Sequence, residues 1–133
     1  MNHLGFGEAF SRFGARPKNL QWSVCAQAPD GALVVSCWEH YFSKKGDGAI
    51  QYSDDLARWR GPGNTELRQC IAHAFHSGQA IRAVIAKAHD TVAVEAGVDA
   101  SKIKKSFSVK ADWIGKVIEF DGQMFVIEFM RGA

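Results

Sequence analysis

The sequence predicts an α+β fold: a mainly antiparallel sheet built from hairpins, with one principal helix at about 64–77 and a short N-terminal helix. Three observations point there. Alternation of apolar and polar residues dominates both ends of the 133-residue chain, as half-buried strands require. One central stretch repeats at helical spacing and closes on a glycine. Turn residues separate the alternating stretches at hairpin distances. Strands, then a helix, then strands is the order of an α+β domain. The length suits a single domain spanning 1–133, and a composition that is 47% hydrophobic and 23% charged excludes a disordered tail.

The elements follow in chain order. Asn2 caps a short helix in which Phe6, Phe10 and Phe13 form one stripe, and Gly14 and Pro17 end it. Leu20, Trp22, Val24 and Ala26 alternate with polar residues as a first strand. Pro29-Asp30-Gly31 supplies turn chemistry. A second strand is predicted from Ala32 to Phe42. Val34, Ser36, Trp38, His40 and Phe42 share one face, and Leu33, Val35, Cys37, Glu39 and Tyr41 the other. Both faces are largely apolar, which places this strand centrally. A loop at 43–48 leads to a third strand at 49–52. Asp54 to Arg60 reads as a helical turn or an irregular segment, closed by Gly61-Pro62-Gly63.

Asn64 is the expected cap of the principal helix, Leu67, Ile71, Ala74 and Phe75 its apolar face, and Gly78 its stop. Residues 81–86 read as a strand, and 91–98 fit helix or strand. Asp99 is placed to cap a basic turn reaching Lys105, and Phe107 and Val109 suggest another strand. Last comes a hairpin, 116–120 and 123–129, around Asp121-Gly122. A two-residue type I′ turn there sets Ile118 opposite Phe125 and Val117 opposite Val126.

Several function classes drop out. No run of about 18 apolar residues is present, so no membrane-spanning helix is expected. The first residues lack a basic segment followed by an apolar run, so no secretory leader is expected. Three cysteines cannot all pair in one chain. They fit reduced thiols in the cytoplasm, with a Cys25–Cys37 bridge across the first hairpin as the alternative. No G-x-S-x-G, H-E-x-x-H, phosphate-loop or dinucleotide motif occurs, and no cofactor is expected. Cys70, His73 and His76 sit three apart on the principal helix, spread over about 120° of its circumference. That is too wide to close on one ion, so no metal is expected.

Three readings of function remain. The first is a small-molecule- or protein-binding domain whose cleft is lined by Trp22, Trp38, His40, Tyr41 and Trp59, since sites are apolar concavities with a few polar groups. The second is a nucleic-acid-binding accessory module using the basic segment 102–116. There Lys102, Lys104, Lys105 and Lys110 interleave with Phe107 and Trp113, pairing phosphate contacts with base stacking. The whole net charge of +2 lies in residues 101–133. The third is a hydrolase or transferase built on Glu39, His40, Asp54 and Asp55. Asp54 and Arg58, four apart, also fit a solvated ion pair. Gly61-Pro62-Gly63 could hold an anion at a helix start or simply turn the chain. The last hairpin is apolar on both faces, which predicts a homodimer, or else cover by the N-terminal helix.

Asn19-x-x-Trp22-Ser23-Val24-x-Ala26, then Asp30-Gly31, Val34-Val35 and Trp38, resembles a pattern of small bacterial domains, some of them neighbours of restriction or mobile-element genes. The chain as a whole is similar to the products of integron-type mobile gene cassettes. The resemblance implies a soluble, self-associating bacterial protein from mobile DNA, and it transfers no catalytic residue.

Overall fold

The structure, a computed structural model, describes residues 4–98 and 102–131. Asn2 and Asp99, two of the three expected caps, lie outside them. In chain order the elements are α1 (Phe6–Ser11), β1 (Cys25–Gln27), β2 (Leu33–Trp38), β3 (Phe42–Lys44), β4 (Ile50–Asp55), α2 (Pro62–Ser77), β5 (Ile81–Ala88), α3 (Thr91–Glu95), β6 (Lys105–Val109), β7 (Trp113–Phe120) and β8 (Met124–Arg131). The described strands form one sheet in the order β1-β2-β5-β7-β8-β4-β3, with β6 also on β5. Every pairing is antiparallel except β2 with β5. That parallel pair is joined through α2, as parallel strands need a crossover. The predicted α+β class, principal helix and short N-terminal helix are all present.

Two apolar layers explain the runs in β2 and β5. On one face, Leu33, Val35 and Cys37 of β2 and Ile81, Ala83 and Ile85 of β5 meet Leu67, Ile71 and Ala74 of α2. On the other, Val34, Val84 and Ala86 meet Ala9 and Phe10 of α1 and Phe107 of β6. Strands covered on both sides lose the polar half of the alternation. The layer under α1 stops at β5 and β6. The α1-side face of β7 and β8 is open, with Ile114, Ile118, Met124 and Met130 exposed. The alternative in which the N-terminal helix covers this hairpin is therefore not what the chain does.

Local corrections have local causes. The first strand is three residues long, because 20–22 form a turn, with the Gln21 N–H bonded to Asn19 Oδ1 at 2.8 Å. The second strand ends at Trp38. A 3₁₀ turn over Glu39–Tyr41 breaks it, so His40 does not continue the Trp38 face. The helix starts at Pro62, with Gly61 before it at φ 125°. Asn64 is its third residue rather than its cap. Its buried side-chain amide instead donates to Leu56 O at 2.7 Å and Trp59 O at 2.8 Å. Residues 91–95 are helical, and Asp90 caps them by accepting from the Ala93 N–H.

The last hairpin turns at Gly122-Gln123, one residue later than predicted. Asp121 N–H donates to Met124 O at 3.2 Å, and Gly122 takes φ 97°. The register becomes Phe120 opposite Phe125 and Val117 opposite Ile127, with a bulge between Val117 and Glu119. At the bulge Val117 is buried and Ile118 exposed, and Ile118 does not stand opposite Phe125 as the two-residue turn had set it.

Candidate functional site

β2 stops where α2 begins, and the stop leaves a cleft of about 590 Å³. Trp22 from the turn before β1, Trp38 at the end of β2 and Trp59 before α2 all line it, with Phe6, Leu67 and Phe107. Three of the five predicted cleft residues thus come together. His40 and Tyr41 do not line it. The turn that ends β2 carries them past the cleft, where their ring centres lie 4.2 Å apart at a tilt of 43°.

Two glycines set the walls. A Cβ on Gly63 would fall 2.2 Å from Trp22 O, so only glycine lets the Trp22 turn lie directly on α2. Gly97, at φ 78°, brings the chain after α3 to Arg58, where a Cβ would meet Arg58 O at 2.3 Å.

The polar wall is a continuous network. Trp38 N–H donates to Tyr52 Oη at 3.1 Å, and that hydroxyl donates to Asp54 Oδ2 at 3.4 Å. Asp54 also receives Arg58 Nε at 3.1 Å and Nη2 at 2.8 Å, a two-pronged ion pair that fixes both groups. Arg58 Nη1 donates to Val94 O at 2.7 Å, and its guanidinium lies 5.4 Å from the centre of the Tyr41 ring. The network ties β2, β4, the turn before α2 and α3 into one frame. Tyr52, Asp54 and Arg58 all line the cleft.

The electrostatics follow from burial. Burial is the largest influence on Arg58 and opposes its charge, but the Asp54 hydrogen bonds and charge together with Tyr41 and Tyr52 outweigh it, so the Arg58 pKa is raised. Burial first, and the Asp54 charge second, push Tyr52 well above the usual tyrosine value. Tyr41 is also raised by burial, against the pull of Arg58. Tyr52 is thus a fixed hydrogen-bonding hydroxyl at neutral pH. The ion pair was visible at its four-residue spacing. Its burial was not, because Asp54 belongs to a strand and not to a solvated helix start.

The remaining candidates are dispersed. Both ring nitrogens of His40 are buried without a hydrogen-bond partner among the described residues, while Asp54 is occupied by Arg58 and Glu39 is exposed. No carboxylate–imidazole pair is formed there. Lys102 and Lys104 lie at one end of β6 and Lys110 and Trp113 beyond the other. Six residues of extended chain separate Lys104 from Lys110 by roughly 20 Å. Trp113 packs on Phe42 at 5.8 Å and Phe129 at 5.9 Å, with the Lys110 ammonium 5.9 Å from its centre. Lys105 points elsewhere, lining the cleft with its Nζ donating to Ile103 O. Cys70 is half-buried, and His73 and His76 are exposed.

No family model, curated protein or solved structure matches this chain. The geometry of the cleft is therefore the ground on which function is argued.

Proposed function

We propose that the protein binds a small molecule in the tryptophan-lined cleft. The observation that carries this reading is the convergence of Trp22, Trp38 and Trp59 on one concavity of about 590 Å³ with a rigid polar wall. Ligand sites are typically ~300–1,000 Å³, mostly apolar, with a few fixed polar groups. The indoles suit a flat apolar body. Arg60, exposed at the rim, favours an acidic group on it. A set of small aromatic carboxylates, added to ¹⁵N-labelled protein, should shift the indole N–H signals of Trp22, Trp38 and Trp59 and leave Trp113 in place. Shifts at Trp113 alone, or at no tryptophan, would sink the reading.

The same proposal has the protein act as a homodimer, as a cytoplasmic product of mobile DNA. The open face of β7 and β8 supports self-association: Ile114 stands directly opposite Met130, with Ile118 and Met124 further along. Lys116 opposite Glu128 puts both charges in the middle of that face, where a twofold copy would offset each with its opposite.

A further inference from the structure

β1 enters the sheet beside α2, and its first residue is a cysteine. The Cys25 thiol donates to Glu66 Oε1 at 3.8 Å. Glu66 and Cys70 are four apart on α2, one turn along the same face. Cys25 therefore lies against the turn that carries Cys70, and Cys70 packs on the apolar layer that contains Cys25. The two environments differ. Cys25 is 1% exposed, whereas Cys70 reaches solvent. Cys37, the other cysteine, is fully buried in β2.

We propose that Cys25 and Cys70 form a reversible dithiol pair, oxidised by hydroperoxides to a disulfide that staples β1 to α2. The thiolate of Cys70 attacks the terminal peroxide oxygen. A sulfur–oxygen bond forms, the oxygen–oxygen bond breaks, and the departing alkoxide or hydroxide takes up a proton. Cys25 sulfur then attacks Cys70 sulfur. The sulfur–sulfur bond forms, and the hydroxyl leaves as water with the Cys25 proton. The two thiols supply the two electrons that the peroxide accepts.

The asymmetry suits these roles. A hydrogen bond from Cys25 is the main influence lowering the Cys70 pKa, against burial and Glu66, with Lys18 and Gln27 assisting. The same hydrogen bond, then burial, drives Cys25 far upward. The half-buried thiol, which reaches solvent, is thus the acidic one, as an attacking sulfur should be, and the fully buried thiol holds the proton that the second step releases. The closed bond would fix β1, which directly follows Val24, to α2, which carries Leu67, and both of these residues line the cleft wall, whatever the cleft holds.

The test uses the reduced full chain and hydrogen peroxide, with peptide mapping under non-reducing conditions. Free thiols should fall from three to one, the survivor being Cys37. One linked pair of peptides should contain Cys25 and Cys70, and dithiothreitol should restore all three thiols. Cys70→Ser should keep both of its thiols under the same dose. Cys25→Ala should trap Cys70 as a dimedone-reactive sulfenic acid. The proposal fails if Cys70 oxidises no faster than glutathione, if it links only between chains, or if it passes to the sulfinic acid with Cys25 untouched.

Discussion

Asp54 and Arg58 show what a single residue's setting does. Their side chains are only 6% and 13% exposed. Removing one charge from such a pair leaves the other buried and unpaired. Arg58→Met should therefore cost about 3–5 kcal/mol in urea unfolding, and Asp54→Leu with Arg58→Met should recover much of that. If the double variant is as unstable as the single, the pair is not what holds this turn. Gly63→Ala is a second residue-scale case. The clash is with backbone, at Trp22 O, so α2 and the Trp22 turn must part. A loss of about 1–3 kcal/mol is expected, together with red-shifted tryptophan emission as the cleft opens. An unchanged spectrum would mean that the close approach is not needed.

At the scale of elements, legibility depended on whether neighbours in sequence were also neighbours in space. The β1–β2 hairpin, α2 with its Gly78 stop, and β5 could be read from local periodicity and turn residues. β2 was over-extended because Glu39-His40-Tyr41 alternates as well as a strand does. What ends β2 is distant: Trp38 N–H bonds to the Tyr52 hydroxyl instead of continuing a ladder. The last turn was misplaced because Asp121 serves as an acceptor rather than a turn centre. Its carboxylate receives the Gln123 N–H at 2.9 Å and the Met124 N–H at 2.8 Å. Those bonds, Gln123 first, hold the Asp121 pKa below its usual value. A carboxylate favoured in the folded state contributes stability that is complete above the unfolded aspartate pKa of about 3.9 and fades as pH falls through the lowered folded value. Asp121→Ala should lower the melting temperature at neutral pH and make progressively less difference in strong acid. An equal loss at both pH extremes would rule out the ionised carboxylate as the cause.

At the scale of the whole molecule, the sheet has one face shielded by α2 and one only half shielded by α1. Composition forecast an apolar excess on the last hairpin, but the side chains that carry it depend on a bulge that no local pattern marked. Val117 went inward and Ile118 outward, so the uncovered row is Ile114, Ile118, Met124 and Met130. α1 cannot reach it, being held against β6 by Phe6 and Phe10, with Phe6 and Phe107 5.5 Å apart. The strands at the two ends of the sheet, β1 and β3, have three residues each, and the five-residue β6, paired to β5, carries a bridge from Leu4 at Phe107, so each edge is short or partly taken for pairing between chains. Face-to-face contact of two β7–β8 hairpins is what remains for burying the row, and a twofold arrangement does so with one surface. Light scattering should then give roughly twice 14.6 kDa at high concentration, falling on dilution. Ile118→Glu should shift that equilibrium toward the monomer without lowering monomer stability, because Ile118 is 41% exposed in the single chain. A mass of one chain at every concentration would remove the dimer, and an Ile118→Glu variant that still dimerises would move the interface off this face.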